Sequence, residues 1–239
     1  MSYSQTLERL KMLRLHGMAE ALENLLNARQ SANLNSEQIL ELLVQQEYDE
    51  RYNRKIERLT HQARFRYRAA LESVKPGTKR NLDATQLAAL STCSWITKGE
   101  NLLISGPTGV GKSYLASALG QQACSNGFKV LYYNAQKMFY DLKLARIEGT
   151  HRKIVNQMAK TDLLILDDFG LQKLDDTNRL DLLEIIEDRH GIKSTIIAAQ
   201  VPTTHWYDLV GEPTISDAIL DRLTAKAHRI ELKGDSLRK

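Results

Sequence analysis

Two rhythms of apolar residues divide the chain. Over the first 75 residues, apolar positions recur at three- and four-residue steps: Leu7 and Leu10, then Met18, Ala21, Leu22, Leu25 and Leu26. That spacing lines up on one face of a helix. Gly17 is positioned to break the first helix from the second, because glycine readily takes the left-handed cap conformation. Asn33, Asn35 and Ser36 read as a polar loop, in which Asn35 or Ser36 can cap the next helix. A long helix is predicted from about Glu37, with Leu40, Leu43, Tyr48, Tyr52, Ile56 and Leu59 along one side, and Pro76-Gly77 ends the region.

After residue 100 the rhythm changes. Short apolar runs of strand length appear at Leu102–Ser105, Lys129–Tyr133, Leu163–Leu166, Thr195–Ala199 and Arg229–Leu232, and amphipathic stretches separate the first four. Continuous apolar strands alternating with helices predict βαβ units: an α/β fold with a parallel sheet sandwiched by helices. The boundary falls between Pro76 and about Leu90, giving a small all-α N-terminal domain, residues 1–78, and a second domain, residues 79–239. There is no internal repeat.

Composition narrows the class. The 239 residues are 42% hydrophobic, enough to bury a core, which excludes a wholly disordered chain. No apolar run approaches the ~18 residues of a membrane span, and the start, MSYSQTLERLKML, has no apolar segment of a secretory signal. The two cysteines, Cys93 and Cys124, are far apart and in no metal-ligand spacing. A cytoplasmic protein without a membrane partner is expected.

The net charge of +4 is unevenly placed. Residues 1–50 hold 4 basic and 8 acidic side chains, residues 51–80 hold 10 and 2, and residues 81–239 hold 19 of each. The basic block centres on Arg64-Phe65-Arg66-Tyr67-Arg68. Arginines interleaved with aromatics can hold phosphates and stack on bases, so a polyanion partner is indicated. The alternative is a basic surface that docks an acidic partner, including the acidic 1–50 stretch of a neighbouring subunit.

The chemistry sits after the first predicted strand. Residues 106–113 read Gly-Pro-Thr-Gly-Val-Gly-Lys-Ser, the pattern G-x-x-x-x-G-K-[ST], between a strand and a helical run from Tyr114. Gly106, Gly109 and Gly111 let the backbone curl so that its N–H groups point at phosphate oxygens. Gly106, Pro107, Thr108, Gly109, Val110, Gly111, Lys112, Ser113 and Tyr114 form the expected nucleotide-binding set. Lys112 would reach the β- and γ-phosphates, and Ser113 would hold Mg²⁺. The run Leu163–Leu166 ends in Asp167-Asp168, placing carboxylates at the ligand-binding edge of a parallel sheet. Asp167 is suited to hold Mg²⁺ and Asp168 to polarise an attacking water. Gln200, at the end of the next strand, can sit between the acids and the γ-phosphate. Arg222, on a later helix, can reach a neighbouring subunit's γ-phosphate if subunits stack.

These features together resemble the AAA+ ATPases of the IstB and DnaC type, transposition helpers and helicase loaders. The resemblance is carried by GPTGVGKS at 106–113, LLILDDFG at 163–170, DAILDRL at 217–223 and GDSLRK at 234–239, and Glu212-Pro213-Thr214-Ile215 before ILDRL places the chain on the IstB side. The resemblance implies a Walker A lysine at Lys112, a Walker B pair at Asp167 and Asp168, a sensor at Gln200 and an arginine finger at Arg222. Asp168 stands where many AAA+ proteins have Glu, and Gln200 where Asn is commoner. Little helical lid is expected after the last strand, with Arg238 in place of a lid arginine at the nucleotide. In the related initiators and loaders an extra helix between the second and third strands lines a DNA channel. The matching insertion, Asn134–Lys160, is long enough for two helices about Gly149-Thr150, and the resemblance points to Lys143, Arg146, Arg152 and Lys153 as sequence-independent phosphate contacts. His151 is expected on the surface. The implied function is an ATP- and Mg²⁺-dependent, DNA-stimulated ATPase that forms a homo-oligomer on DNA and recruits or stimulates a transposase. The alternative is a helicase loader. A small-molecule kinase would need a substrate lid and has no use for an inter-subunit arginine.

Overall fold

The structure, a computed structural model, describes residues 3–27 and 34–237. Asn33 and Arg238 lie outside the described residues. The chain divides into two compact units, Met1–Arg58 and Leu59–Lys239.

The first unit holds α1 (Tyr3–Met12), α2 (His16–Asn27) and most of α3 (Ser36–Ala63). The break between α1 and α2 is made by Arg14, which takes the left-handed conformation at φ 60°. Gly17 instead lies buried inside α2. Its role is close approach, because a Cβ there would sit 2.5 Å from the Gln46 carbonyl oxygen of α3. Asn35 caps α3: its Oδ1 accepts from the Gln38 N–H at 2.8 Å while Gln38 Oε1 accepts from the Asn35 N–H at 3.0 Å. The expected apolar side of α3 is not buried along its length: Leu40 and Tyr48 remain exposed.

The second unit begins inside α3. Leu59 and Ala63 are buried in its core, together with Ala69, Val74 and Leu82. Arg64, left-handed at φ 58°, ends the helix. Residues 64–82 are therefore not a helical continuation as the spacing suggested. They run along α6 (Lys112–Ser125) as far as a single turn at Leu71–Ser73, then through a second turn at Thr78–Arg80, beyond which Asn81 Nδ2 donates to the Glu231 carbonyl at 2.8 Å. Phe65 packs where Gly120 of α6 leaves space, since a Cβ on Gly120 would lie 2.5 Å from the Phe65 ring. The expected boundary near residue 78 thus differs from the observed division, because Pro76-Gly77 marks a turn within a packed segment rather than its start. Short helices α4 (Ala84–Ser91) and α5 (Ser94–Thr97) lead to the sheet.

Five parallel strands form that sheet: β1 (Asn101–Ser105), β2 (Val130–Asn134), β3 (Leu163–Phe169), β4 (Ser194–Ala199) and β5 (Ala227–Glu231), in the order β2-β3-β4-β1-β5. β1, β4 and most of β3 are buried throughout because both faces are covered, whereas β5 at the sheet edge, Ala-His-Arg-Ile-Glu, buries only Ile230. On one face, Leu102, Ile104, Ile165, Ile196 and Ala198 pack with α6 residues such as Leu115 and Leu119. On the other, Leu103, Leu164, Leu166 and Ile197 pack with residues of α7 (Ala135–Ile147), α8 (His151–Lys160), α9 (Asp176–Arg189), α10 (Trp206–Val210) and α11 (Pro213–Thr224). Trp206 is fully buried there, edge-on to Phe169 at 5.1 Å, and Trp95 is buried in the first core.

The sheet has one irregularity, at the end of β3. Between Leu166 and Phe169, β3 advances three residues while β4 advances two, from Ile197 to Ala199. This bulge reverses the alternation, so Phe169 points into the second core although Leu163 and Ile165 face the first. The residues in the bulge are Asp167 and Asp168. Beyond β5, the described residues 232–237 contain no helix. They return along the loop after β1, where the Leu237 N–H donates to the Gly109 carbonyl at 2.9 Å.

Removing residues 1–58 should leave a domain with a single cooperative thermal transition. Removing residues 1–78 should abolish it, because Leu59, Ala63, Ala69 and Val74 leave the core. Thermal unfolding of both truncations followed by circular dichroism checks this, and equal behaviour of the two would place the boundary where the sequence pattern put it.

Candidate nucleotide site

The strand order brings three loops side by side. β4 lies between β1 and β3, so the ends of β1, β4 and β3 present the glycine-rich loop, Gln200 and the paired acids in that spatial order. The glycines are needed where they stand. Gly106, Gly109 and Gly111 have φ of 144°, 87° and 94°. A Cβ on Gly109 would lie 2.2 Å from Ser236 Oγ.

The loop wraps a cavity of about 570 Å³, a size typical of small-molecule sites. Thr108, Gly109, Gly111, Lys112, Ser113 and Tyr114 line it, together with Asp168 and Gln200. Val110 is buried in the core behind the loop. Gly106 and Pro107 contribute their carbonyl oxygens, which accept from Lys112 Nζ at 2.7 and 2.8 Å. The lysine is thus held at the loop it is expected to serve, at the N-terminus of α6, where helix N–H groups favour an anion.

Asp167 is fully buried. Its Oδ1 accepts from Ser113 Oγ at 2.9 Å, and its Oδ2 accepts from the Tyr132 hydroxyl. Burial, reinforced by the Asp167 carboxylate, pushes the Tyr132 hydroxyl far above its usual pKa, so it stays a donor. Asp168 is half-buried and takes the left-handed conformation at φ 56°, which turns its side chain toward the cavity. Asp168 Oδ2 accepts from Asn134 Nδ2 at 3.0 Å and from Arg66 Nη1 at 2.9 Å. Ser113 and Asp167 form the hydroxyl–carboxylate pair that would hold Mg²⁺, and the glycine-rich loop with Lys112 fits a polyphosphate. These residues therefore fit Mg²⁺-ATP.

Several lining residues have no counterpart in the motif reading: Arg66, Tyr67, Ser73, Val74 and Arg80 from the segment after α3, and Leu237 from the tail. Asn134 had a signal, as a polar residue ending an apolar strand. Arg66 had none, because its contact crosses 102 residues of sequence.

Arg222 does not line this cavity. It donates to the Ala218 carbonyl and to Glu187 of α9, each at 2.9 Å. The insertion forms two helices, α7 and α8, about Gly149 and Thr150 as expected. Lys143, Arg152 and Lys153 are exposed on it. Arg146 is not simply displayed to solvent: it is ion-paired with the buried Asp181 of α9, and His151, half-buried rather than on the surface, meets the same carboxylate at 2.9 Å. The buried Asp181 thus pins the insertion to the domain through both residues.

The parallel sheet order, the phosphate loop and the acids on the bulged strand define an AAA+ P-loop fold. Solved structures agree: the DnaC helicase loader has a TM-score of 0.59 at 22% identity, covering 70% of this chain and 98% of that one. DnaI has a TM-score of 0.62 at 21% identity, covering 70% and 92%. Within that class, the chain belongs to the IstB-like ATP-binding proteins, whose family pattern matches residues 8–239. It is similar to y4pL of Sinorhizobium fredii (strain NBRC 101917 / NGR234), named as an insertion sequence ATP-binding protein, with 43% identity over 234 residues, 98% of this chain and 96% of that one. It is likewise similar to the ATP-binding protein of insertion sequence IS1162 of Pseudomonas fluorescens, with 42% identity over 205 residues, 85% and 89% of the two chains.

Replacing Tyr132 by Phe removes one donor to a buried carboxylate oxygen whose next cation, Arg66, is 3.8 Å away. The expected loss of stability is about 1–3 kcal/mol, read from urea unfolding of variant and parent. A change below about 0.5 kcal/mol, the range of a neutral surface substitution, would mean that Asp167 does not depend on this bond.

Proposed function

We propose that the protein is an ATP-dependent AAA+ regulator that oligomerises on DNA and recruits or stimulates the transposase of an insertion sequence. The observation that carries this reading is the assembled nucleotide site in a chain whose full-length relatives are named for insertion sequences. The helicase-loader alternative rests on shared fold alone.

In this reading the chain's residues divide the work. Gly109 and Gly111 with their neighbours' N–H groups bind the phosphates, and Lys112 exchanges its carbonyl partners for phosphate oxygens. Ser113 and Asp167 hold Mg²⁺, which when bound offsets phosphate charge. Asp168 orients and polarises a water, with Gln200 beside it on the intervening strand. Arg222 is supplied to the next subunit's site, and Glu187 holds it until then. Because the active site is shared, turnover depends on assembly, and DNA stimulates it by promoting assembly. DNA is held by its backbone, through Lys143, Arg152 and Lys153 of the insertion. Arg146 serves mainly to fix that insertion.

Duplex DNA binding as a function of salt, with and without ATP and Mg²⁺, tests the proposal. Wild-type binding should require nucleotide, and K112A should bind weakly whether or not nucleotide is present. The double variant R152A/K153A should bind more weakly, with a salt slope shallower by about 0.9 for each phosphate no longer neutralised. Nucleotide-independent binding, or an unchanged slope, would overturn the assembly and the DNA contacts respectively.

A further inference from the structure

The nucleotide cavity contains a cation that belongs to no phosphate-binding motif. Arg66 lies three positions beyond the last residue of α3, just after Arg64 has turned the chain out of the helix. Its Nη1 is 2.9 Å from Asp168 Oδ2 and 3.8 Å from Asp167 Oδ2. One guanidinium therefore serves both acids.

Its placement is held from both sides. Phe65 packs edge-on to Tyr132, ring centroids 6.4 Å apart, in the space left by Gly120. On the other side, Gln121 Nε2 donates to the Tyr67 carbonyl at 2.9 Å, and the Arg66 guanidinium lies 5.4 Å from the Tyr67 ring centroid. Phe65 and Tyr67 thus anchor the segment to α6 and β2 and leave Arg66 aimed at the acids.

The pair does little for the stability of the fold. The Arg66 side chain is 42% exposed and that of Asp168 is 23% exposed, and ion pairs this open contribute little. Its chemical effect is larger. Asp168 Oδ2 already accepts from Asn134, so the same oxygen takes two donors, one of them charged. An oxygen that already accepts two hydrogen bonds, one of them from a cation, has little capacity left to accept one from a water.

We propose that Arg66 is a positioning residue that restrains Asp168. While it is seated, the carboxylate is held away from water activation, and the segment of residues 64–74 that carries it governs turnover. By the same geometry Arg66 competes with a divalent cation for the charge of Asp167 and Asp168. The proposal assigns a role to the centre of the basic block that involves neither DNA nor a neighbouring subunit, and it rests on the ATPase reading of the site.

The test uses the full chain as wild type, R66A and R66K. ATP hydrolysis is measured without DNA, and binding of a fluorescent ADP is titrated with Mg²⁺. R66A should raise basal turnover about fivefold, the scale of a half-exposed charge pair. It should also lower the half-saturating Mg²⁺ concentration severalfold, with the thermal midpoint little changed. R66K, which keeps a cation for a contact made through one nitrogen, should return both values toward wild type. Unchanged or lower basal turnover in R66A with an unshifted Mg²⁺ midpoint would overturn the proposal. Failure of the wild type itself to bind or hydrolyse ATP would overturn the ATPase reading instead.

Discussion

A carboxylate cannot be taken out of water without partners, and Asp167 is fully buried. The rest of the site follows from that constraint. Ser113 and Tyr132 each donate to one of its oxygens, and Arg66 lies 3.8 Å away. Ser113 tops α6, Tyr132 is on β2 and Arg66 is on the segment after α3, so one side chain ties together three parts of the domain. The bulge in β3 completes the arrangement: with one extra residue, Asp167 stays beside Ser113 while Phe169 still enters the core beneath Trp206.

Much of this was legible in the sequence for a physical reason. A strand buried on both faces must be largely apolar, so β1, β3 and β4 stood out as runs, whereas β5, at the sheet edge with only Ile230 buried, left a weaker trace at Arg229–Leu232. The phosphate loop is equally local: its glycines occupy backbone conformations that other residues avoid, and the motif and its geometry span the same eight positions. The acids were legible because they end an apolar run. What could not be read was any relation fixed by distant packing. Periodicity placed Leu40 and Tyr48 on one side of a helix, but it carries no information on whether anything covers them, and they are exposed. Pro76-Gly77 resembled a domain boundary because turn residues mark every turn, including one inside a packed segment. Gly17 resembled a helix break, yet its missing side chain serves close helix approach.

Charge was the least reliable guide, because net charge does not say what each cation faces. Arg66 sits at the centre of the most basic stretch and meets the acids of its own nucleotide site. Arg146 lies among the insertion's basic residues and is held by Asp181. Arg189 is a further case: it is almost fully buried, donating to the Met158, Thr161 and Ser194 carbonyls and to Thr195 Oγ1. Burial pushes its pKa down to about 9, which still leaves it charged at neutral pH. Lys143, Arg152 and Lys153 remain exposed on the insertion, and they carry the DNA-binding part of the proposal within residues 81–239, whose 19 basic and 19 acidic side chains cancel.

Asp167 is buried beside Ser113, and the proposed function makes this carboxylate the one that holds Mg²⁺. Titration calorimetry of a non-hydrolysable ATP analogue, with and without Mg²⁺, on wild type and D167N tests it most directly. Mg²⁺ should tighten binding to the wild type and have little effect on D167N, while metal-free affinity is similar in the two. An equal gain from Mg²⁺ in both proteins would contradict it.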